Sequence, residues 1–320
     1  MTATLAVRSD ETPMLDLIRS FRIQIDADDK SPKTVEAYVE STLQFARFLA
    51  DRGLPTTLPK IRREHIAAFR IYLRDERKAS DSTRHIRLRG LRSFFDWAVE
   101  QKEITESPMA GMKLKTPKLQ PVLFPKEAVV RKLINSVEHR EDFESRRDAA
   151  ILRIFFDTGC RRAELSGLRF NPASKQIDEV NDVSQDRDLV RVMGKGGYQR
   201  YLPLGRKTRV ALDRYIRMAR TGHPYSHLPG LWLCRKGKLT DGGIAQMVER
   251  RAKAAGVGPL HPHMLRHAFI DDALSHGMSE GDVMRITGHR SRKMLDRYAS
   301  AGAVDRAIAA HRVNSPGDRI

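Results

Sequence analysis

Tyr298 closes the run Gly288-His289-Arg290-Ser291-Arg292-Lys293-Met294-Leu295-Asp296-Arg297-Tyr298 near the end of the chain. A phenol, with a free pKa of about 10, is a poor nucleophile at neutral pH. A tyrosine that attacks needs cations nearby to accept the charge that develops. The sequence offers them from Arg161, from Lys195 and from the group His263, Arg266 and His267, with His289 in the tyrosine's own run. A hydroxyl nucleophile surrounded by cationic groups points to phosphoryl transfer on DNA.

Each group has a bland reading beside the chemical one. In Thr158-Gly159-Cys160-Arg161-Arg162-Ala163-Glu164-Leu165, Gly159 ends one helix and the chain restarts at once. Arg161 then sits at a helix boundary where it can point into a cleft. Glu164, three residues on, shares its face; alone, the two would be an ordinary surface ion pair. Lys195 occupies the glycine-flanked turn Gly194-Lys195-Gly196-Gly197. A lysine at such a tip can protonate a leaving alkoxide, although a lone lysine there is more often simply solvated. The turn is not a phosphate-binding loop of the Walker type, because no Ser or Thr follows the lysine. In His261-Pro262-His263-Met264-Leu265-Arg266-His267, Pro262 opens a helix and puts His263, Arg266 and His267 on one face. Three histidines suggest zinc, but Arg266 would repel a dication and no carboxylate or cysteine lies close by to complete the shell. Met294 and Leu295 share the face of Tyr298, so on spacing alone a core tyrosine and a nucleophile are equally good readings.

The elements that must carry these residues are mostly helical. Ser31-Pro32 is a helix start, followed by Val35, Tyr38, Thr42, Phe45 and Leu49 at helical spacing and a stop at Gly53. Ile66, Phe69 and Leu73 mark a second helix, and Leu88, Leu91, Phe95 and Ala98 a third. Between these stripes lie Arg62, Arg63, Arg70, Arg74, Arg84, Arg87, Arg89 and Arg92, either a solubilising surface or a phosphate-gripping face; their clustering favours the second. From 107 to 125, Pro108, Gly111, Pro117, Pro121 and Pro125 interrupt any helix, with Lys113, Lys115 and Lys118 interspersed. This reads as a basic linker joining a clamp of two domains. Beyond it, helices are predicted at 126–136, 146–157, 206–220, 240–254, 262–276, 279–287, 291–300 and 303–312. Short strands are predicted at 176–180, 188–193 and 198–204, the last two joined by the Lys195 turn.

Composition agrees with a polyanionic partner. The 320 residues carry 58 Lys and Arg against 40 acids, a net charge of +18. Such a surplus favours nucleic acid. The two cysteines form no CxxC and fit a reducing compartment. No apolar stretch approaches the length of a membrane span, and the N-terminus lacks the features of a signal peptide. The expected location is the bacterial cytoplasm, in association with the nucleoid.

Taken together, the motifs resemble those of the tyrosine recombinase (phage integrase) family in its Xer-like two-domain form, over nearly the whole chain from about Thr12 to Arg312. Residues 158–165 match the family's T-G-x-R-x-x-E-L box, Lys195 its hairpin lysine, and His263 and Arg266 its H-x-x-R box. His289 and Tyr298 match its G-H followed nine positions later by tyrosine. Ala299-Ser300 stand where Xer proteins often have Thr-His, and Arg297 where they often have an apolar residue; both point away from a housekeeping Xer role.

The resemblance implies a mainly α fold: a helical core-type DNA-binding domain at 12–106, the linker at 107–125, a mostly helical catalytic domain with a small antiparallel β-sheet at 126–312, and a tail at 313–320. It implies catalysis by Tyr298, Arg161, Lys195, His263, Arg266 and His289, with Glu164 and His267 supporting them. Arg84, Arg87, Arg89, Arg92, Lys113, Lys115 and Arg200 are expected to contact DNA. No metal, ATP or other cofactor is implied. The implied partners are double-stranded DNA at specific recombination sites and further protomers in a tetramer on paired sites, with no membrane. Two rivals stand beside this reading. A type IB topoisomerase would relax any supercoiled plasmid, and a DNA-binding regulator on an inactive scaffold would have lost part of the residue set.

Overall fold

The structure, a computed structural model, describes residues 13–117, 124–194, 197–289, 291, 307–308, 311–313 and 315–319. The chain forms two compact units that divide between Leu119 and Gln120.

The first unit is built from α1 (Met14–Ala27), α2 (Pro32–Asp51), α3 (Arg63–Asp75) and α4 (Asp81–Glu100). The expected start of α2 is present: the Ser31 hydroxyl accepts the Thr34 amide at 3.3 Å and Pro32 takes the first helical position. Ser80 caps α4 in the same way through the Thr83 amide at 3.2 Å. The apolar stripes close on an aromatic core in which Phe45 meets Phe69 at 5.1 Å and Phe21 meets Phe94 at 5.3 Å, both edge to face. Burial of such rings is the main stabilising term of a unit this small. Helices α2 and α4 pack tightly at Gly90, where an added Cβ would lie 2.8 Å from the Ser41 Cβ and 3.0 Å from the Tyr38 Cα. Part of the expected linker belongs to this unit, since Met109 and Met112 are buried in its core and Leu114 packs against it.

The second unit contains α5 (Glu127–Glu138), α6 (Phe143–Thr158), α7 (Arg162–Gly167), α8 (Arg206–Tyr215), α9 (Asp241–Ala254), α10 (Pro262–Ser275) and α11 (Glu280–Thr287). Its strands are β1 (Leu189–Met193) and β2 (Gln199–Pro203), paired antiparallel with Val192 opposite Arg200, and the short pair β3 (Leu233–Cys234) and β4 (Gly237–Lys238). The helix expected at 206–220 changes character after Tyr215: Ile216–Arg220 form one wider turn, closed by the Thr221 amide on the Ile216 carbonyl at 3.1 Å. The strand expected at 176–180 is a loop. Asp178 accepts the amides of Val180 and Asn181, both at 2.9 Å, and the Asn181 side chain donates to the carbonyls of Gln176 and Val183, both at 2.7 Å. Polar side chains that bond the local backbone replace the ladder that apolar alternation suggested. All but residue 291 of the helix expected at 291–300, and all but a few residues of that at 303–312, lie outside the described residues. Among the described residues, no helix is long and apolar enough to cross a membrane.

Candidate active site

Gly159 ends α6 in the left-handed conformation, at φ 57°. A Cβ there would lie 2.5 Å from Cδ1 of Phe269, so the turn admits no side chain without rearrangement. The chain restarts immediately as α7, and Arg161 occupies the position ahead of its first turn. Its backbone N–H donates to Glu164 Oε2 at 2.7 Å, Nη1 donates to Glu164 Oε1 at 2.9 Å, and Nη2 reaches the Gly288 carbonyl at 3.0 Å. Two further bonds fix α7: Trp232 Nε1 donates to the Leu165 carbonyl at 2.8 Å, and Arg162 forks onto Asp241 with both contacts at 2.7 Å.

Glu164 is buried and held from its other side by Arg200. Nη1 and Nη2 of Arg200 fork onto its two oxygens at 2.8 and 2.7 Å, and Nε donates to the Ile286 carbonyl at 2.8 Å. Burial opposes the charged carboxylate, but the hydrogen bonds from Arg200 and the Arg161 amide outweigh it and hold the Glu164 carboxyl below its usual range. Arg200 thus has a different place from the DNA-facing one expected of it. The alternation of β2 turns Gln199, Tyr201 and Pro203 outward and Arg200 and Leu202 inward, leaving Arg200 only 7% exposed.

Arg266, on α10, is buried. Its Nη1 donates to the Gly159 carbonyl and its Nη2 to the Thr287 carbonyl at 2.9 Å, and Nη2 also meets His289 Nε2 at 2.9 Å. Helix α11 ends at Gly288, again left-handed at φ 70°, and delivers His289 just past its end. An added Cβ at Gly288 would lie 2.9 Å from Arg200 Nη1 and 3.2 Å from Arg161 Nη1. Guanidinium has only donors, so His289 Nε2 is an acceptor and its proton sits on Nδ1, which donates to the Thr287 hydroxyl at 2.8 Å. Burial, then Arg266, Arg161, His263 and Arg200, push the imidazole down to about 3.

This has a measurable consequence. The ring should stay neutral on NMR titration of the free protein from pH 7 to 4.5; a midpoint above 6 would contradict the geometry. The folded pKa lies below the unfolded value of 6.5, so the unfolded chain takes up the proton first. The group's contribution to stability is therefore full above that pH and declines by about 1.4 kcal/mol per pH unit below it, until the folded ring itself protonates.

His263 is exposed on the first turn of α10, and its ring meets that of the buried His267 edge-on at 4.3 Å. Among the described residues, no three His, Cys, Asp or Glu gather as metal ligands would. Lys195 and Tyr298 lie outside the described residues. Gly194, which precedes Lys195, is described: its amide donates to the Tyr198 carbonyl at 2.7 Å, and a Cβ on it would lie 3.8 Å from both Glu164 Oε1 and Arg200 Nη1. The structure therefore brings Arg161, Glu164, Arg200, Arg266 and His289 into one cluster, with the base of the β1–β2 hairpin against it.

In the first unit, the expected DNA-contacting residues divide between faces. Arg92 donates to the Met112 carbonyl, and the His85 ring meets the Lys115 carbonyl at 3.2 Å. These bonds lay the segment bearing the exposed Lys113 and Lys115 along α4, where Arg92, Lys113 and the exposed Arg89 line one depression. Arg84 pairs with Asp81. Arg87 faces a separate depression shared with Lys33, Glu36 and Glu40 of α2.

The sequence reading missed three contributors: Arg200 as the partner of Glu164, Thr287 as the group that sets the His289 tautomer, and Gly288 as the floor under two guanidiniums. Only the first left a signal, an arginine on the inward register of a short strand. Residues 124–303 match the phage integrase family and residues 17–105 the phage integrase N-terminal SAM-like domain. The tyrosine recombinase XerC of Myxococcus xanthus is 30% identical over 298 residues, covering 90% of this chain and 93% of its own. The fold is similar to that of the XerH site-specific recombinase bound to palindromic difH substrate in a post-cleavage complex, with a TM-score of 0.71, 18% identity, and coverage of 93% of this chain and 84% of that one. It is also similar to that of a lambda integrase tetramer bound to a Holliday junction, with a TM-score of 0.65, 18% identity, and coverage of 91% and 82%. The chain belongs to the phage integrase family and is a tyrosine recombinase, an enzyme of site-specific DNA recombination.

Proposed function

We propose that the chain cuts and rejoins double-stranded DNA at specific sites through a covalent 3′-phosphotyrosyl link to Tyr298, without metal or ATP. The observation that carries the residue assignment is the gathering of Arg161, Arg266 and His289, from three separated motifs, around hydrogen bonds that leave their polar ends together. In this reading the Tyr298 oxygen attacks the scissile phosphorus as the bond to the 5′-oxygen breaks, and Lys195 supplies the proton to that leaving oxygen. Arg161 and Arg266 hold the non-bridging oxygens. His263 hydrogen-bonds the phosphate and helps move the tyrosine proton.

His289 has the most specific requirement. Its Nε2 accepts from Arg266 in the DNA-free state. An arriving phosphate anion raises the ring's proton affinity, and Nε2, on taking up a proton from solvent, becomes a donor to a non-bridging oxygen. The 5′-hydroxyl of a partner strand reverses the first step, and two rounds of exchange pass through a four-way junction.

The domains are assigned as 12–106 for DNA grip, 107–125 as a connector whose first residues pack on that domain, 126–312 for catalysis and 313–320 as a tail, with Arg84, Arg87, Arg89, Arg92, Lys113 and Lys115 on phosphates. Protomers assemble as a tetramer on paired sites, in the bacterial cytoplasm on the nucleoid. The lambda integrase tetramer on a Holliday junction supports the assembly by analogy of fold. The test is a suicide substrate nicked beside the cleavage point. Wild type should yield a protein–DNA adduct stable to SDS, and Tyr298→Phe none; an adduct that persists in the variant would overturn the assignment. Relaxation of any supercoiled plasmid without sequence preference would favour topoisomerase action instead.

A further inference from the structure

Arg200 is a cation inside the cluster that the chemistry just proposed does not use. All three of its guanidinium nitrogens are engaged by protein: two on Glu164 at 2.8 and 2.7 Å, and Nε on the Ile286 carbonyl at 2.8 Å. It is buried, with 6% of its side chain exposed, whereas the Arg161 side chain is 41% exposed. The fork orients both oxygens of Glu164, and those same oxygens receive the Arg161 amide and Nη1. The guanidinium also lies close against two glycines. An added Cβ would stand 3.8 Å from its Nη1 at Gly194 and 2.9 Å at Gly288. Gly194 immediately precedes Lys195, and Gly288 immediately precedes His289.

We infer that Arg200 is a positioning residue for strand cleavage: it touches no DNA, and it sets the rate by holding Glu164 so that Glu164 fixes Arg161. This rests on the proposed role of Arg161 at the scissile phosphate. The geometry gives the reason. A carboxylate held by one arginine alone can swing about that contact, whereas a carboxylate forked from behind presents Oε1 and Oε2 in one fixed plane. A misplacement of about 1 Å in a phosphate-holding group is enough to cost about 10²-fold in rate. Lysine cannot substitute, because its ammonium is a point charge without the fork.

Arg200→Lys keeps the positive charge beside Glu164 and removes the fork. It should lower single-turnover cleavage of the suicide substrate by about 10²-fold at saturating DNA. In the Tyr298→Phe background, the salt dependence of DNA binding should keep its slope. A lost phosphate contact would instead reduce that slope by about one. Combined with Arg161→Ala, Arg200→Lys should add little further loss, since both act through one group.

The inference is overturned by a reduced salt slope, by multiplicative rate losses in the double variant, or by cleavage within threefold of wild type. If Arg161→Ala itself leaves cleavage intact, the assignment of Arg161 falls as well, which separates that failure from failure of the inference alone. Should Arg200→Lys unfold, the wild-type enzyme still decides. On DNA binding, the guanidinium ¹⁵N resonances of Arg161 should shift while those of Arg200 stay in place; a shift confined to Arg200 would overturn the inference.

Discussion

Glu164→Ala should slow formation of the Tyr298–DNA adduct by about 10²–10³-fold, the usual loss when a preorganised group at the reacting centre is released. It should also cost the catalytic unit about 3–5 kcal/mol, because removing one partner of a buried ion pair leaves the other charge uncompensated. Arg200 would be that charge: it is buried, and Glu164 is the carboxylate it forks onto. Of the three hydrogen bonds Arg161 donates among the described residues, two would be lost at the same stroke, leaving the one to the Gly288 carbonyl. The two effects are separable. Denaturant unfolding reads the stability loss, and single-turnover cleavage at a temperature where the variant is folded reads the rate. Glu164→Gln tests the charge, since it retains the shape and one acceptor oxygen. A variant folded to within 1 kcal/mol of wild type would show that the fork contributes little.

Arg266→Lys should be as damaging to catalysis and milder to the fold. Arg266 spreads its donors over the Gly159 carbonyl, the Thr287 carbonyl and His289 Nε2. Three acceptors in three directions need a planar fan of N–H groups, which a single ammonium cannot reproduce. The expected rate loss is about 10³-fold, with about 1–3 kcal/mol of destabilisation from acceptors left without a donor in a buried place. DNA binding to the full site should hold within a few-fold, because the first unit's basic residues are untouched. A cleavage loss under tenfold would mean that the fan is not what the phosphate needs.

Much of this arrangement was legible in the sequence, for identifiable reasons. Helix starts carried local chemistry, such as Ser31 ahead of Pro32, and local chemistry is what sequence reports well. The Arg161–Glu164 pair followed from a spacing of three across a helix start. Two left-handed glycines, Gly159 and Gly288, marked the helix ends that deliver Arg161 and His289. Contacts across long separations were not legible. The inward register of Arg200 hints at burial but does not announce Glu164, which lies 36 residues away. The strand expected at 176–180 failed because Asp178 and Asn181 hold the backbone themselves. Helix α1 was not singled out, and part of the proline-rich stretch expected to be a linker turned out to be core, because Met109 and Met112 are ordinary apolar anchors whose setting disguised them.

A helix ends in carbonyls that no amide within the helix satisfies, carrying roughly half a negative charge between them. Arg266 is bonded to the carbonyl of Gly159 at the end of α6, and Arg161 to that of Gly288 at the end of α11. Among the described residues of this cluster, three guanidiniums and a neutral histidine gather with one carboxylate, Glu164, an assembly that repulsion between the guanidiniums would otherwise spread apart. In the proposed mechanism the helix termini serve as resident surrogates for the phosphate, weakly negative and always present. They keep the guanidiniums gathered while no substrate is bound, and a full anionic charge displaces them easily because theirs is only partial. On that mechanism the empty enzyme keeps the electrostatic shape of its substrate in its own backbone.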